Sequence, residues 1–211
     1  MKHLTKTFLL LLALVLPMTA MAYDFVIDGV YYSTDLWGDY VSVSDQGEGG
    51  GLYSGNVNIP ESVTNDGTTY PVTKIGYFAF KDCVELTGVN MPNTINEIGD
   101  HAFQNCGMLT EANIPAAVTY IGTGAFESTG LNSIEIPAGV TKIAMWAFQD
   151  CPALTDVYCH IEDPSAIEIG FNSFKLESED YSNRTLHVPA GSIAAYKDSD
   201  LSEFFGKIVA L

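Results

Sequence analysis

The sequence is short of positive charge, of cysteine and of long apolar runs. Nine Lys and Arg stand against 26 Asp and Glu, a formal charge of −17. Binding to a phosphate backbone rests on neutralisation by Lys and Arg, so nucleic acid is not expected as a partner. Four cysteines in 211 residues are too few for a disulfide-dense scaffold. The longest apolar run, Phe8 to Leu16, has nine residues, well below the ~20 needed to span a bilayer. There is no Gly-rich phosphate loop, no Gly-x-Ser-x-Gly elbow and no metal-ligand spacing among Cys and His. Catalytic, cofactor-binding and metal-ligating residues are therefore assigned to no position. Against these absences, 47% of the residues are hydrophobic. That is enough to build a core in one domain of ~100–200 residues.

The first residues read as a leader. Lys2, His3 and Lys6 form a basic start, the apolar run follows, Pro17 breaks it, and Ala20-Met21-Ala22 is a small-x-small cleavage site. Cleavage after Ala22 and a secreted or cell-surface location are expected, with no membrane span in the mature chain.

The middle of the chain is a repeat. Phe80, Phe103, Phe126 and Phe148 are spaced by 22 or 23 residues, each preceded by Ala. Three residues on come Cys83, Cys106, Thr129 and Cys151, followed by Leu86, Leu109, Leu131 and Leu154. Val/Ile-x-x-Ile columns (Val72/Ile75, Ile95/Ile98, Val118/Ile121, Val140/Ile143) and a Pro column (Pro60, Pro92, Pro115, Pro137) keep the same step. A fixed period of this length marks a solenoid whose units bury their apolar edges only against neighbours. Within a unit, Leu86-x-x-Val89-x-Met91-Pro92 predicts a strand with residues 86, 89 and 91 turned inward. Pro ends that strand because it has no N–H to donate. Gly99 is expected to turn through positive φ, and the stretch to Cys106 to coil in one short helical turn.

At these residues the chain resembles the BspA-type leucine-rich repeats of bacterial surface and secreted proteins. The matching stretches are VTKIGYFAFKDCVELTGVNMP, INEIGDHAFQNCGMLTEANIP, VTYIGTGAFESTGLNSIEIP and VTKIAMWAFQDCPALTDVY, with looser similarity around IPESVTNDGTTYPVTKI and in LHVPAGSIAAYKDSDLSEFFGKI. Thr129 replaces the Cys, Ala144 replaces the Gly, and 160–185 breaks the period. The fold expected is an α/β repeat solenoid: leucine-rich-repeat-like, right-handed, with a parallel β-sheet face, short helical turns and a β-rich N-terminal cap. The resemblance implies non-enzymatic binding of host or neighbouring-cell extracellular proteins, that is, adhesion. Glycan binding or accessory service to carbohydrate uptake, through Trp37, Tyr158 or Trp146, is the alternative. An envelope structural protein without a ligand is a third.

The expected organisation is 1–22 leader, 23–58 N-terminal β-cap, 59–160 repeat coils, and 161–211 degenerate coil and closing segment. Asp28-Gly29 between two β-branched and aromatic runs signals a hairpin. Gly47 to Gly51 reads as a loop tip, and Pro164 to Arg184 as a solvated surface insertion. Its acidic run, Glu177 to Asp180, shows too few ligands for a calcium cage. Cys83 and Cys106 share one column, and a bridge between them is conceivable at ~5–6 Å between Cα atoms. Thr129 in the same slot favours small buried side chains left as free thiols. Cys159 and His160, as strand neighbours, point apart and form no dyad.

What remains for function is the outward face of the sheet. Its candidate binding residues are Thr87, Asn90, Thr110, Glu111, Asn113, Asn132, Ser133, Glu135, Thr155, Asp156 and Tyr158. These short polar side chains suit hydrogen bonding to a polypeptide or a glycan. Four strands make a face of roughly 300 Å², below the ~800 Å² per partner of a stable interface. The turn before each Ala-Phe forms a rival column, Tyr77-Phe78, Asp100-His101, Thr123-Gly124 and Met145-Trp146, whose aromatic side chains are expected to pack down over the phenylalanines.

Overall fold

The computed structural model describes residues 23–45, 47, 51 and 53–211. The leader and most of the Gly47–Gly51 tip lie outside these residues. The strands, in order, are β1 (Phe25–Ile27), β2 (Val30–Thr34), β3 (Val41–Val43), β4 (Gly55–Asn58), β5 (Ser62–Asn65), β6 (Thr68–Ile75), β7 (Leu86–Asn90), β8 (Glu97–Ile98), β9 (Glu111–Ala112), β10 (Tyr120–Ile121), β11 (Ser133–Ile136), β12 (Lys142–Ile143), β13 (Asp156–Cys159), β14 (Glu168–Ile169), β15 (Thr185–Val188) and β16 (Lys207–Ala210). One short helix, α1 (Ile193–Lys197), packs against β16 at the closing end.

Each coil contributes two strands, and they stack into two walls. One wall runs β4-β7-β9 and resumes as β11-β13-β15-β16, parallel throughout. The other runs β3-β6-β8-β10-β12-β14, also parallel, and β1 and β2 extend it antiparallel at the N-terminal end. This second wall is built from the Val/Ile-x-x-Ile columns. Its outward row Lys74, Glu97, Tyr120, Lys142, Glu168 alternates charge, with Lys74–Glu97 and Lys142–Glu168 ion pairs at 2.7 Å. The Asp28-Gly29 hairpin forms, with φ of 49° and 78°. Asp66-Gly67 makes a second one between β5 and β6 with the same backbone signs.

The third side of each coil departs from the helical turn that was expected. Its backbone N–H groups alternate in destination. Ala79, Lys81 and Cys83 donate to Gly76, Phe78 and Phe80 in their own coil, while Phe78, Phe80 and Asp82 donate to Asp100, Ala102 and Gln104 of the next. The pattern repeats at 101, 103 and 105, at 124, 126 and 128, and at 146, 148 and 150. A helix would direct every donor along its own axis and leave the neighbouring coil's carbonyls without partners. Reaching both directions requires left-handed residues: Phe78, His101, Gly124, Trp146 and Asn172 in one column, and Asp82, Asn105, Ser128 and Asp150 in another.

The glycine before each turn has a different purpose from the one expected. Gly76, Gly99, Gly122 and Gly170 do not lie at positive φ; they lie against the preceding coil. A Cβ on Gly122 would sit 2.5 Å from the Asp100 nitrogen, and one on Gly170 2.3 Å from the Met145 nitrogen. Ala144 occupies this position in the fourth coil and keeps register, donating its N–H to the Ile121 carbonyl at 2.9 Å.

Between the walls runs a column of rings. Phe80, Phe103, Phe126, Phe148 and Phe174 stack at 5.0–5.3 Å between centroids, within 12° of parallel. Tyr53 closes one end, 4.6 Å from Phe80, and Phe205 the other, 5.5 Å from Phe174. Phe174 overturns the reading of 164–184 as a solvated insertion. After a longer connection the period resumes as a fifth coil, with β14 paired to β12 and Ser173 fully buried. Arg184 is also buried, its guanidinium donating to the carbonyls of Cys151, Leu154 and Phe174. The acidic run Glu177 to Asp180 stays exposed, as do Phe171 and the short stretches at 165–166 and 182–183.

Two substitutions test this packing. Phe103→Ala should cost about 3–5 kcal/mol by opening a cavity in the ring column. Gly122→Ala should cost about 1–3 kcal/mol, whereas Gly107→Ala, which meets nothing within 4 Å, should leave stability nearly unchanged. Urea denaturation midpoints decide; equal effects at 107 and 122 would refute the close-approach explanation.

Candidate functional site

The wall containing β7, β9, β11 and β13 presents the predicted residues, and it is longer than the repeat alone suggested. β4 precedes it and β15 and β16 follow, giving seven strands. Register places Asn56, Gly88 and Glu111 in one outward row, which Ser133, Asp156, Thr185 and Lys207 continue. Asn58 and Asn90 begin a second row, which Glu135, Tyr158, His187 and Val209 continue. Asn56, Asn58, Thr185, His187, Lys207 and Val209 are not among the eleven candidate binding residues. The signal was present, because Val57-x-Ile59-Pro60 and Leu186-x-Val188-Pro189 carry the inward alternation and terminal Pro of Val89-x-Met91-Pro92.

The face is not uniform. Between β9 and β11 the strand ladder lapses, and the coils meet there through the Asn132 N–H donating to the Thr110 carbonyl at 3.4 Å. Ala112 is the smallest residue of its inward column, and the third coil is one residue short before Leu131. On the other side of β9, Asn113 extends the pairing with the β7 coil through its side chain, accepting from the Met91 N–H at 3.0 Å and donating to the Met91 carbonyl at 2.9 Å. With Gly88 offering no side chain, the lapse leaves a shallow groove of about 420 Å³. Asn90, Thr110, Glu111, Asn113, Ser133 and Glu135 line it, together with Asn56. Thr87, Asn132, Thr155, Asp156 and Tyr158 lie on the same face outside the groove. Asn90 donates to Asn58 at 2.6 Å, and Asn113 is committed to the backbone. Glu111, Ser133 and Glu135 keep exposed polar atoms.

Beyond the groove, Asp156 and His187 make a 2.8 Å hydrogen bond, and the imidazole stacks on Tyr158 with centroids 4.3 Å apart. The His187 hydrogen bond, followed by that of Thr155, holds the Asp156 carboxyl below its usual range. Three of the eleven predicted residues, Thr155, Asp156 and Tyr158, are thus tied into a cluster with His187 from β15.

The remaining chemistry-bearing residues are internal. All four cysteines are free and buried. Cys106 and Cys151 donate to the carbonyls of Phe80 and Phe126 at 3.0 Å, each reaching back to the previous coil. Thr129 takes the slot with a hydroxyl that donates to Phe126 at 2.9 Å. Burial pushes each thiol's pKa up, the opposite of what a nucleophile needs. Among the described residues no group of His, Cys, Asp and Glu is placed to hold a metal ion.

The aromatic column before each Ala-Phe does not pack over the phenylalanines as expected. Tyr77 is 62% exposed, Phe78 42%, Met145 43% and Trp146 37%. The left-handed backbone at Phe78 and Trp146 sends their N–H groups to the next coil and leaves the rings on the outside. Trp37, at the tip of the turn before β3, is 85% exposed.

Residues 55–179 match the family described as BspA type Leucine rich repeat region, in six copies. A leucine-rich repeat protein from Bacteroides ovatus is 32% identical over 80% of this chain and 48% of its own, with a TM-score of 0.54. This chain thus spans about half the length of that protein. The leucine-rich repeat protein of T. pallidum (22% identity, 89% and 82% coverage, TM-score 0.63) and the pneumococcal vaccine antigen PcpA (16%, 82% and 51%, 0.53) share the fold. No curated protein matches the chain.

Because its folded pKa is depressed, Asp156 contributes stability that is present above the unfolded value of 3.8 and lost as pH falls through the folded one. Asp156→Asn should therefore lower the urea midpoint at neutral pH, and the gap from wild type should close in acid. A gap that persists below both pKa values would show that the Asp156–His187 contact carries no linked proton. In a second measurement, a thiol reagent should label none of the four cysteines in the folded protein and all of them in denaturant; rapid native labelling would contradict the buried column.

Proposed function

The chain belongs to the BspA-type leucine-rich repeat family, and on that premise we propose that it is a non-enzymatic binding protein of the cell exterior. Its ligand is an extended segment of an extracellular protein, from a host or a neighbouring cell, laid along the seven-stranded face. The observation that carries this is the groove between β9 and β11. It interrupts an otherwise continuous wall and is bordered by amide, hydroxyl and carboxylate groups directed outward. An extended peptide presents alternating N–H and C=O groups, and these side chains offer both donors and acceptors at strand spacing. Glu111 and Glu135, in a chain of charge −17, favour a segment carrying Lys or Arg.

Size sets the affinity. Seven strands ~4.8 Å apart, each with five residues at ~3.3 Å, give roughly 550 Å². That remains below the ~800 Å² per partner of a stable interface, so single copies bind weakly and several copies on one surface bind well. An exterior location rests on the basic start, the nine-residue apolar run and the Ala20-Met21-Ala22 site. Among the described residues no helix is long and apolar enough to cross a membrane.

The test is binding of residues 23–211 to arrays of immobilised matrix proteins and mucins. Ser133→Trp, which fills the groove, and Glu111→Lys with Glu135→Lys, which reverses its charge, should each weaken binding at least tenfold. Lys142→Ala on the opposite wall should not. Binding that is unchanged in both groove variants, or absent from every protein tested, would overturn the reading. N-terminal sequencing of protein recovered from culture medium should begin at Tyr23.

A further inference from the structure

Away from the groove, the turn side of the solenoid holds one place where an aromatic ring, amides and carboxylates converge. Phe78, His101, Gly124, Trp146 and Asn172 occupy one left-handed column. At its start the column closes on itself, with Phe78 and His101 stacked at 5.3 Å and 4°. At its end it does not. The residue following Trp146 in the column is Asn172, which has no ring to cover the indole, and a cleft of about 410 Å³ opens between the fourth and fifth coils. Trp146 and Gln149 form one side of it and Asn172 and Lys175 the other, with Asp150 between. A second hollow of about 300 Å³ adjoins it across Asn172 and Lys175 and reaches Tyr181.

The polar groups here are fixed. The Asp150 carboxylate accepts from the Glu177 N–H at 2.7 Å and from Gln149 Nε2 at 3.2 Å. The Lys175 ammonium is held by Glu179 at 3.3 Å. The Gln149 side-chain carbonyl is buried in the cleft wall and accepts from no donor of the protein, so it is free to meet a hydroxyl only when the side chain turns toward the cleft. An exposed indole beside planar amides and a carboxylate matches a pyranose ring, which offers a C–H face to the π-system and adjacent hydroxyls to the polar groups. Charge narrows the class further. Four carboxylates border the two hollows, and the one lysine is already paired, so uronic acids, sialic acids and phosphate are disfavoured. The combined space falls within the ~300–1,000 Å³ of small-ligand sites.

We propose that this cleft is a second binding site, for a neutral oligosaccharide, with Trp146 as the stacking platform and Gln149, Asp150 and Asn172 as hydroxyl partners. It is independent of the protein-binding face, which lies on another side of each coil.

The chain has two tryptophans, so a Trp37→Phe background makes the fluorescence report Trp146 alone. Titration with glucose-, mannose- and N-acetylglucosamine-based oligosaccharides should quench or shift that emission for at least one of them, and a polyuronate should leave it unchanged. In calorimetry on the otherwise native chain, two variants should weaken binding of that sugar at least tenfold. Trp146→Asn removes the platform and keeps a residue suited to the left-handed backbone. Asn172→His rebuilds the Phe78–His101 stack over the indole. Circular dichroism and the urea midpoint should confirm that both remain folded. Glu111→Lys in the groove should leave sugar binding intact, which separates this site from the face. The proposal is overturned if no neutral sugar binds, if the polyuronate binds equally well, if apolar peptides alone perturb Trp146, or if the folded variants bind like wild type.

Discussion

The structure depends on how each coil disposes of its backbone N–H groups. On the turn side every second donor serves its own coil and the donors between serve the next, so no coil is complete alone. A unit of 22 or 23 residues cannot hide both its apolar side chains and its backbone polar groups by itself. Stacking satisfies both demands together. The ring column fills the space between the walls, and the alternating donors tie the turns above and below it. The glycine column follows from the same closeness, since coils that exchange hydrogen bonds at 2.7–3.2 Å crowd a Cβ at Gly76, Gly99, Gly122 and Gly170, and only the fourth coil accommodates one, at Ala144.

That arrangement also explains where function is available. Side chains turned inward are committed to the stack, and the wall of β8, β10 and β12 is occupied by its own charge pairs. Two regions escape these demands. One is the lapse between β9 and β11, where Ala112 is small, the third coil is one residue short and the surface sinks. The other is the end of the left-handed column, where an aromatic residue meets no aromatic neighbour. Both are places where a repeating rule is broken by one residue, and both are concave as a result.

Much of the fold was legible because a period is a global constraint. The aligned Ala-Phe pairs, the Leu-x-x-Val pattern and the terminal Pro each repeat several times, so a parallel stack with a ring column follows from spacing. The second wall was harder to read. Val72 and Ile75 are three apart, a spacing that suggests neither the alternation of a strand nor a sustained helix. The turns were misread because their left-handed positions are filled by Phe78, His101 and Trp146 rather than by glycine, and the glycines that do stand out are there for contact. Asp66-Gly67 escaped notice although it repeats the chemistry of Asp28-Gly29, because its flanks are polar. The fifth coil was hidden by a longer connection, which breaks the spacing without breaking the stack. The predicted face residues were nearly all placed outward, as alternation requires. Which of them border a depression depends on a lapse in pairing that no single unit encodes.

Arg184 is the only arginine in the chain, and it is spent indoors, braced against three carbonyls of the last coils. The exterior consequently has no guanidinium anywhere. It offers an abundance of lone pairs, a few mobile ammonium groups and no rigid fork with which to grip a carboxylate or phosphate. Recognition by this molecule is therefore lopsided: carboxylates outnumber cationic donors on its outside, so a partner rich in hydrogens to give gains most and anions gain little by approaching.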